Sequence, residues 1–121
     1  MDLRHDTTHL LRADGSVIIK ALLSSLGLTR SELAETIGAS EQSLGDDTQA
    51  ASPQTERRLA DLIQILTKLT DWSGSFGHAF FLFTSQPLAS FAGETAADLL
   101  RAGRAEAVKA YLSRIEDGGY A

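Results

Sequence analysis

The sequence contains no cysteine, which excludes disulfide bonds and thiolate metal sites. It has no apolar run close to the ~18 residues that a membrane-spanning helix requires. Its opening residues, MDLRHDTTHLLRADG, lack the apolar centre of a secretory signal peptide. These absences predict a soluble, cytoplasmic protein that does not bind a membrane. A length of 121 residues suits one domain, or two small lobes that share a core.

Aromatic residues are absent from positions 1–71, and all of them lie between positions 72 and 121. A core formed by the first stretch must therefore be aliphatic. The composition changes at residues 71–75, DWSGS, which are typical of a loop. We therefore predict a flexible leader over 1–15, a first lobe over 16–71 and a second lobe over 72–121.

Helix signals recur along the chain. Thr29 and Glu32 match a capping box, in which the hydroxyl and the carboxylate satisfy free backbone amides reciprocally. Ser52 followed by Pro53 is a favoured helix start, because the N–H that proline lacks would have no helical partner there. The apolar residues that follow at helical spacing are Leu59, Leu62, Ile63, Leu66 and Leu69.

The second lobe carries similar signals. The segment FFLF at 80–83 fits either a buried strand or a helix, and the spacing around it favours a helix. Thr95 and Asp98 form another capping motif. The aromatic residues predicted to be core are Trp72, Phe76, Phe80 and Phe83. The sequence therefore predicts an all-α fold.

The stretch from Leu28 to Leu44 resembles the helix-turn-helix of Xre/Cro-like regulators, with a turn at Gly38 and a second helix after Ser40. DNA binding rests mostly on cations that meet phosphates. Positions 31–56 contain no lysine or arginine and six acidic residues, and the formal net charge is −5. These charges argue against DNA binding by the chain alone. The candidate DNA contacts are Arg30, Gln42, Ser43, Arg57 and Arg58.

Two histidines, His5 and His9, are spaced one helical turn apart. A catalytic zinc ion needs a third protein ligand, and the remaining histidine, His78, lies within the aromatic stripe. No nucleophile motif or phosphate-binding glycine loop accompanies them. We therefore predict no metal site, no cofactor and no enzymatic activity, with a zinc hydrolase as the hypothesis that metal analysis would test.

A series of short motifs follows in order through the last 50 residues. They are Phe76, Ala79, Phe81-Leu82, Pro87-Leu88, Phe91-Ala92-Gly93-Glu94-Thr95, Asp98-Leu99-Leu100, Gly103, Val108, Leu112, Ile115 and Gly119-Tyr120-Ala121. In this order they resemble the toxin-binding domain of Xre/MbcA/ParS-type antitoxins, and the likeness covers about residues 17–121. Phe81 stands where the family usually has tryptophan, and Ala96 or Ala97 where it often has proline.

The resemblance implies an Xre-like helix-turn-helix lobe followed by a small helical toxin-binding lobe. It implies an antitoxin of a type II system that binds a RES-type, NAD-degrading toxin and occludes its active site with the C-terminal lobe and tail. It also implies a homodimer within a larger hetero-oligomer. The predicted toxin-binding residues are Arg114, Glu116, Asp117, Gly118, Gly119, Tyr120 and Ala121. A stand-alone Xre-like transcription regulator is the alternative function.

Overall fold

The computed structural model describes residues 8–46 and 49–116. The α-helices of this part are α1 (Ile19–Leu26), α2 (Arg30–Ile37), α3 (Pro53–Ser73), α4 (Phe76–Ser85), α5 (Ala96–Arg101) and α6 (Ala105–Arg114). Single 3₁₀ turns lie at Thr8–Leu10 and Gln42–Leu44. The described ranges contain isolated β-bridges but no strand, so the all-α prediction is confirmed and the strand alternative for FFLF is wrong. None of their helices is long and apolar enough to span a bilayer.

Local side-chain caps begin four of these helices, and three of the capping residues are the ones that the sequence predicts. The Thr29 hydroxyl accepts the backbone N–H of Glu32, whose carboxylate accepts the N–H of Thr29 in return. Ser52 caps α3 ahead of Pro53. Thr95 forms the same reciprocal box with Asp98 at the start of α5. These caps need only neighbouring residues, so the sequence alone is enough to place them.

The long helix α3 forms the centre of the molecule. It packs along α4 and also contacts α2, α5 and α6. Buried residues from both predicted lobes, such as Leu33, Leu59, Phe83 and Val108, belong to one hydrophobic cluster. Because α3 continues to Ser73, it runs through the predicted lobe boundary, and the two parts share a single core.

Two arginines hold the C-terminal end of α2. The Nη1 atom of Arg58 donates to the carbonyl oxygens of Ile37 and Gly38 at 2.8 and 2.9 Å. Arg101, from α5, donates to the carbonyl oxygen of Thr36 at 3.4 Å. A helix ends with unpaired carbonyl groups and partial negative charge, so both cations stabilise it there. The contacts join α2 to α3 and to α5.

The described part of the predicted leader, residues 8–15, packs against the rest of the chain. Leu10 is fully buried, and the N–H of Ile18 donates to its carbonyl oxygen at 2.7 Å. Leu11 pairs with Val17 in an antiparallel bridge across the intervening turn. Two adjacent leucines are too short a signal for a periodicity argument, which is why the sequence did not indicate this packing. Residues 1–7 lie outside the described ranges.

The prediction of a second α-helix in the helix-turn-helix is wrong. Gln42–Leu44 form a single 3₁₀ turn instead. Gly45 ends it at φ 73° and ψ −171°, a conformation that is essentially restricted to glycine. A Cβ atom at this position would lie 2.3 Å from the carbonyl oxygen of Gln49. The chain therefore turns away at Gly45 and reaches α3 through a loop, whose residues 47 and 48 are not described.

Candidate functional site

An apolar groove lies where the ends of α3, α4 and α6 meet the loop before α5. Its volume is about 200 Å³. The side chains that define its walls include Leu69, Trp72, Leu82, Leu88, Tyr111 and Ile115. Small-molecule sites usually enclose about 300–1,000 Å³, so this groove suits an inserted side chain better than a cofactor.

Trp72 lines this groove and is not buried in the core. Its side chain is 44% exposed, whereas the sequence predicted a core residue. Phe83 is fully buried, and Phe76 and Phe80 are half-buried against the core. Trp72 lies in the last turn of α3. Phe81, on the outer side of α4, is 60% exposed.

The loop between α4 and α5 is closed on itself. Pro87 and Thr95 form an antiparallel bridge, and the N–H of Leu88 donates to the carbonyl oxygen of Glu94 at 2.9 Å. Ser90 and Ala92 have φ values of 73° and 54°, a left-handed conformation that costs a residue with a Cβ atom about 1–2 kcal/mol. The loop holds this strained path between α4 and α5.

Phe91, at the tip of that loop, begins a row of side chains in contact with one another beside α6. Its ring meets the Tyr111 ring edge-on, with centroids 5.7 Å apart and planes at 80°. The Cζ atom of Arg104 lies 5.6 Å from the Phe91 centroid, and that of Arg114 lies 5.9 Å from the Tyr111 centroid. Both distances are within the ~6 Å range of a cation–π contact. We call Arg104, Phe91, Tyr111 and Arg114 the arginine–aromatic row.

The cations on α6 and at its N-cap differ in what they bind. Lys109 pairs with Asp61 of α3 at 2.5 Å and with Glu106 at 3.1 Å. Burial lowers the pKa of Lys109, but the hydrogen bonds to Asp61 and Glu106 outweigh it and raise the pKa above the ordinary lysine value. Arg104 and Arg114 are exposed and pair with no carboxylate of the described ranges.

The predicted toxin-binding residues extend from this row to the end of the chain. Arg114 is exposed in the last turn of α6. The Oε1 atom of Glu116 accepts a hydrogen bond from Lys68 of α3 at 2.9 Å. The remaining predicted residues, which are Asp117, Gly118, Gly119, Tyr120 and Ala121, lie outside the described ranges.

Sequence reasoning missed Arg104, Phe91 and Tyr111 as surface partners of Arg114. A signal for part of this row was present, because positions 104, 111 and 114 are separated by seven and three residues and so share one helical face. No local pattern places Phe91 beside them, since the loop fold brings it there. The complete arginine–aromatic row can therefore be identified only from the tertiary structure.

Most predicted DNA contacts already bind backbone or side-chain oxygens. Arg30 donates to the carbonyl oxygens of Glu41 and Gly45 at 3.2 and 2.7 Å. Arg58 is committed to the end of α2, as described above. The Ser43 hydroxyl accepts from Thr55 at 2.8 Å. Gln42 and Arg57 are exposed.

A larger cleft of about 540 Å³ lies beside α1, between the bridged turn at residues 11–17 and the loop before α3. Arg12, Lys20 and Arg30 line it together with Asp46. Arg12 donates to the carbonyl oxygen of Val17 at 2.9 Å, so two of the three cations hold the surrounding backbone together. These two cations have a structural role, so the larger volume of this cleft is not evidence that it is the functional site.

The histidines do not come together within the described ranges. The Nε2 atom of His9 is 3.4 Å from the hydroxyl oxygen of Ser25, and His78 packs beside Phe81 with centroids 6.3 Å apart. His5 lies outside the residues that the structure describes. Among the residues described, no three His, Cys, Asp or Glu side chains form a group that would hold a metal ion.

Comparison with known proteins gives one solved structure of similar fold. No family model and no curated protein matches the sequence. A chain in the crystal structure of the M. tuberculosis MbcT-MbcA toxin-antitoxin complex matches with a TM-score of 0.57 and 23% sequence identity. The match covers 83% of this chain and 91% of that chain. The chain therefore shares the fold of a component of this complex.

Proposed function

We propose that the chain is an antitoxin, a non-enzymatic protein that neutralises a toxin by binding it. The observation that carries this proposal is the likeness to a chain of a toxin-antitoxin complex, which extends over 83% of the present chain. An independent support is the ordered set of motifs from Phe76 to Ile115, which resembles the toxin-binding domain of such antitoxins. We further propose that the partner is a RES-type, NAD-degrading toxin.

The proposed mechanism is occlusion of the toxin's active site by the C-terminal lobe and the last five residues. The groove, Arg114 and the Lys68–Glu116 pair all lie near the point where residues 117–121 begin. Five residues reach at most about 18 Å when extended, which is enough to enter a nucleotide-sized cleft. Tyr120 would supply a large, rigid contact at small entropic cost, as tyrosines often do at binding hot spots.

Co-expression with the protein encoded by the neighbouring gene tests this proposal. The full chain is expected to co-purify with that protein, to restore growth and to preserve cellular NAD. A chain shortened by residues 117–121 is expected to keep most of the binding but to lose NAD protection. Equal protection by both forms would rule out occlusion by the tail, and the absence of a co-purifying protein would rule out the antitoxin function itself.

We also propose that the chain forms a homodimer within a larger hetero-oligomer with its toxin in the cytoplasm. Light scattering on the purified complex would measure its mass directly. A one-to-one complex would contradict this part of the proposal and leave toxin binding intact.

A further inference from the structure

We propose that the apolar groove and the arginine–aromatic row form one docking surface. Its occupant is a segment of the partner protein that carries an apolar side chain next to carboxylates. The inference rests on the proposed function, because the partner is the neutralised toxin, and it specifies the chemistry of the segment that this partner presents.

Tyr111 joins the two parts of the surface. Tyr111 lines the groove together with Trp72 and Ile115. Its ring contacts Phe91 and lies beneath Arg114. A segment that inserts an apolar side chain into the groove therefore passes directly beside the row.

The two arginines are suited to bind carboxylates. A guanidinium that stacks on an aromatic ring keeps the N–H groups of its planar edge directed away from the ring, and this edge matches a carboxylate in bidentate geometry. The contacts with Phe91 and Tyr111 restrict Arg104 and Arg114 in advance, which reduces the entropy lost on binding. Within the described ranges neither guanidinium has an acidic partner.

The charge of the whole chain favours a protein carboxylate over a nucleic-acid phosphate. A formal net charge of −5 repels a polyanion, and phosphate binding needs several cations along one face. On α6, Lys109 is already paired with Asp61 and Glu106, which leaves two arginines on this surface. Two local cations suit a short acidic segment.

Carbodiimide cross-linking of the full chain, co-expressed with the protein encoded by the neighbouring gene, tests the row. Arginine does not react, so the variants are Arg104→Lys and Arg114→Lys, with Arg57→Lys as the matched control. Arg57 is also exposed but lies in the second turn of α3. We expect cross-links from positions 104 and 114 to Asp or Glu of the partner, located by mass spectrometry, and none from position 57.

Affinity measurements test both parts of the surface. The double variant Arg104→Gln/Arg114→Gln is expected to raise the Kd about tenfold or more, and Arg57→Gln to leave it unchanged. Trp72→Ala is expected to raise the Kd about tenfold, whereas Phe81→Ala, an exposed aromatic outside the groove, is not. Circular dichroism verifies that each variant is folded.

The outcomes separate this inference from the proposed function. A retained partner with no cross-links at 104 and 114 and unchanged affinity overturns the docking surface and leaves the antitoxin function standing. A retained nucleic acid whose binding depends on the two arginines overturns it in favour of phosphate recognition. If no protein is retained, both proposals are wrong.

Discussion

The Nζ atom of Lys68 lies 2.9 Å from the Oε1 atom of Glu116, and this pair ties the last described residue to α3. Both side chains are partly exposed, at 32% and 44%, so the pair is expected to contribute no more than about 1 kcal/mol to stability. It nevertheless holds Glu116, the residue before the last five, against α3.

We predict that Lys68→Met lowers the free energy of unfolding by about 0.5 kcal/mol at low salt, because it removes a partly exposed ion pair. The loss should nearly vanish at 1 M salt, where the Debye length is about 3 Å. Urea denaturation measures both values. Glu116→Gln should give the same loss, and the double variant no additional one; additive losses would mean that the two residues do not interact.

Gly45→Ala is predicted to destabilise the fold by more than about 2 kcal/mol, because the added Cβ atom would meet the backbone at Gln49 within 2.3 Å. Gly27→Ala is the matched control. Its φ of 70° is also left-handed, but nothing lies within 4 Å of its Cβ position, so only about 1 kcal/mol should be lost. Equal losses in thermal denaturation would contradict the close approach at Gly45.

Ala92→Gly is expected to stabilise the chain by about 0.5–1 kcal/mol, because glycine adopts the left-handed φ of 54° without the Cβ penalty. Ala89→Gly, in the same loop but without a positive φ, should destabilise it slightly through backbone entropy. Chemical denaturation of the two variants compares them directly. Stabilisation by both substitutions, or by neither, would argue against strain at residue 92.

The stability of α5 should depend on pH through Asp98. The backbone hydrogen bond from Thr95 lowers the pKa of this carboxyl below its usual 3.8, with Arg101 adding to the effect and burial opposing it. A lowered folded-state pKa means that the contribution is present above the unfolded-state pKa and is lost as pH falls through the folded-state value. Asp98→Asn should therefore be less stable than the wild type at pH 7. The difference should shrink below about pH 4, and a constant difference would contradict the assignment.

The chain alone is predicted not to bind its own upstream DNA with nanomolar affinity at physiological salt. Arg30 and Arg58 hydrogen-bond to carbonyl oxygens, and the predicted second helix is a single 3₁₀ turn. A gel-shift titration, repeated with Arg57→Gln, measures this. Specific nanomolar binding that Arg57→Gln weakens would favour the transcription-regulator alternative.

The features that the sequence predicted correctly depend on neighbouring residues. The caps at Thr29, Ser52 and Thr95 and the apolar stripe of α3 are set by side chains a few positions apart. Gly45 ends the single turn at Gln42–Leu44, and its conformation follows from the approach of residues 49–51. That approach is a tertiary contact, so local signals could not indicate it.

The candidate site could be predicted only in part from the sequence, because it too depends on tertiary contacts. Arg114 and Glu116 were identified from the family resemblance and their place on the predicted last helix. Trp72 was predicted to be a core residue, but its side chain is 44% exposed. Phe91 reaches Tyr111 through the loop fold, and no spacing along the chain encodes that meeting.

The hydrogen bonds from Arg58 and Arg101 to the end of α2 limit which fragments of this protein can fold by themselves. The N-terminal and C-terminal parts are bound to each other through α2, and both rely on α3 for their interior. They should therefore melt in one cooperative transition. A fragment that starts at residue 72 would lack the central helix on which its own apolar residues pack. Excising the C-terminal part is thus expected to yield an unfolded polypeptide instead of a minimal inhibitor.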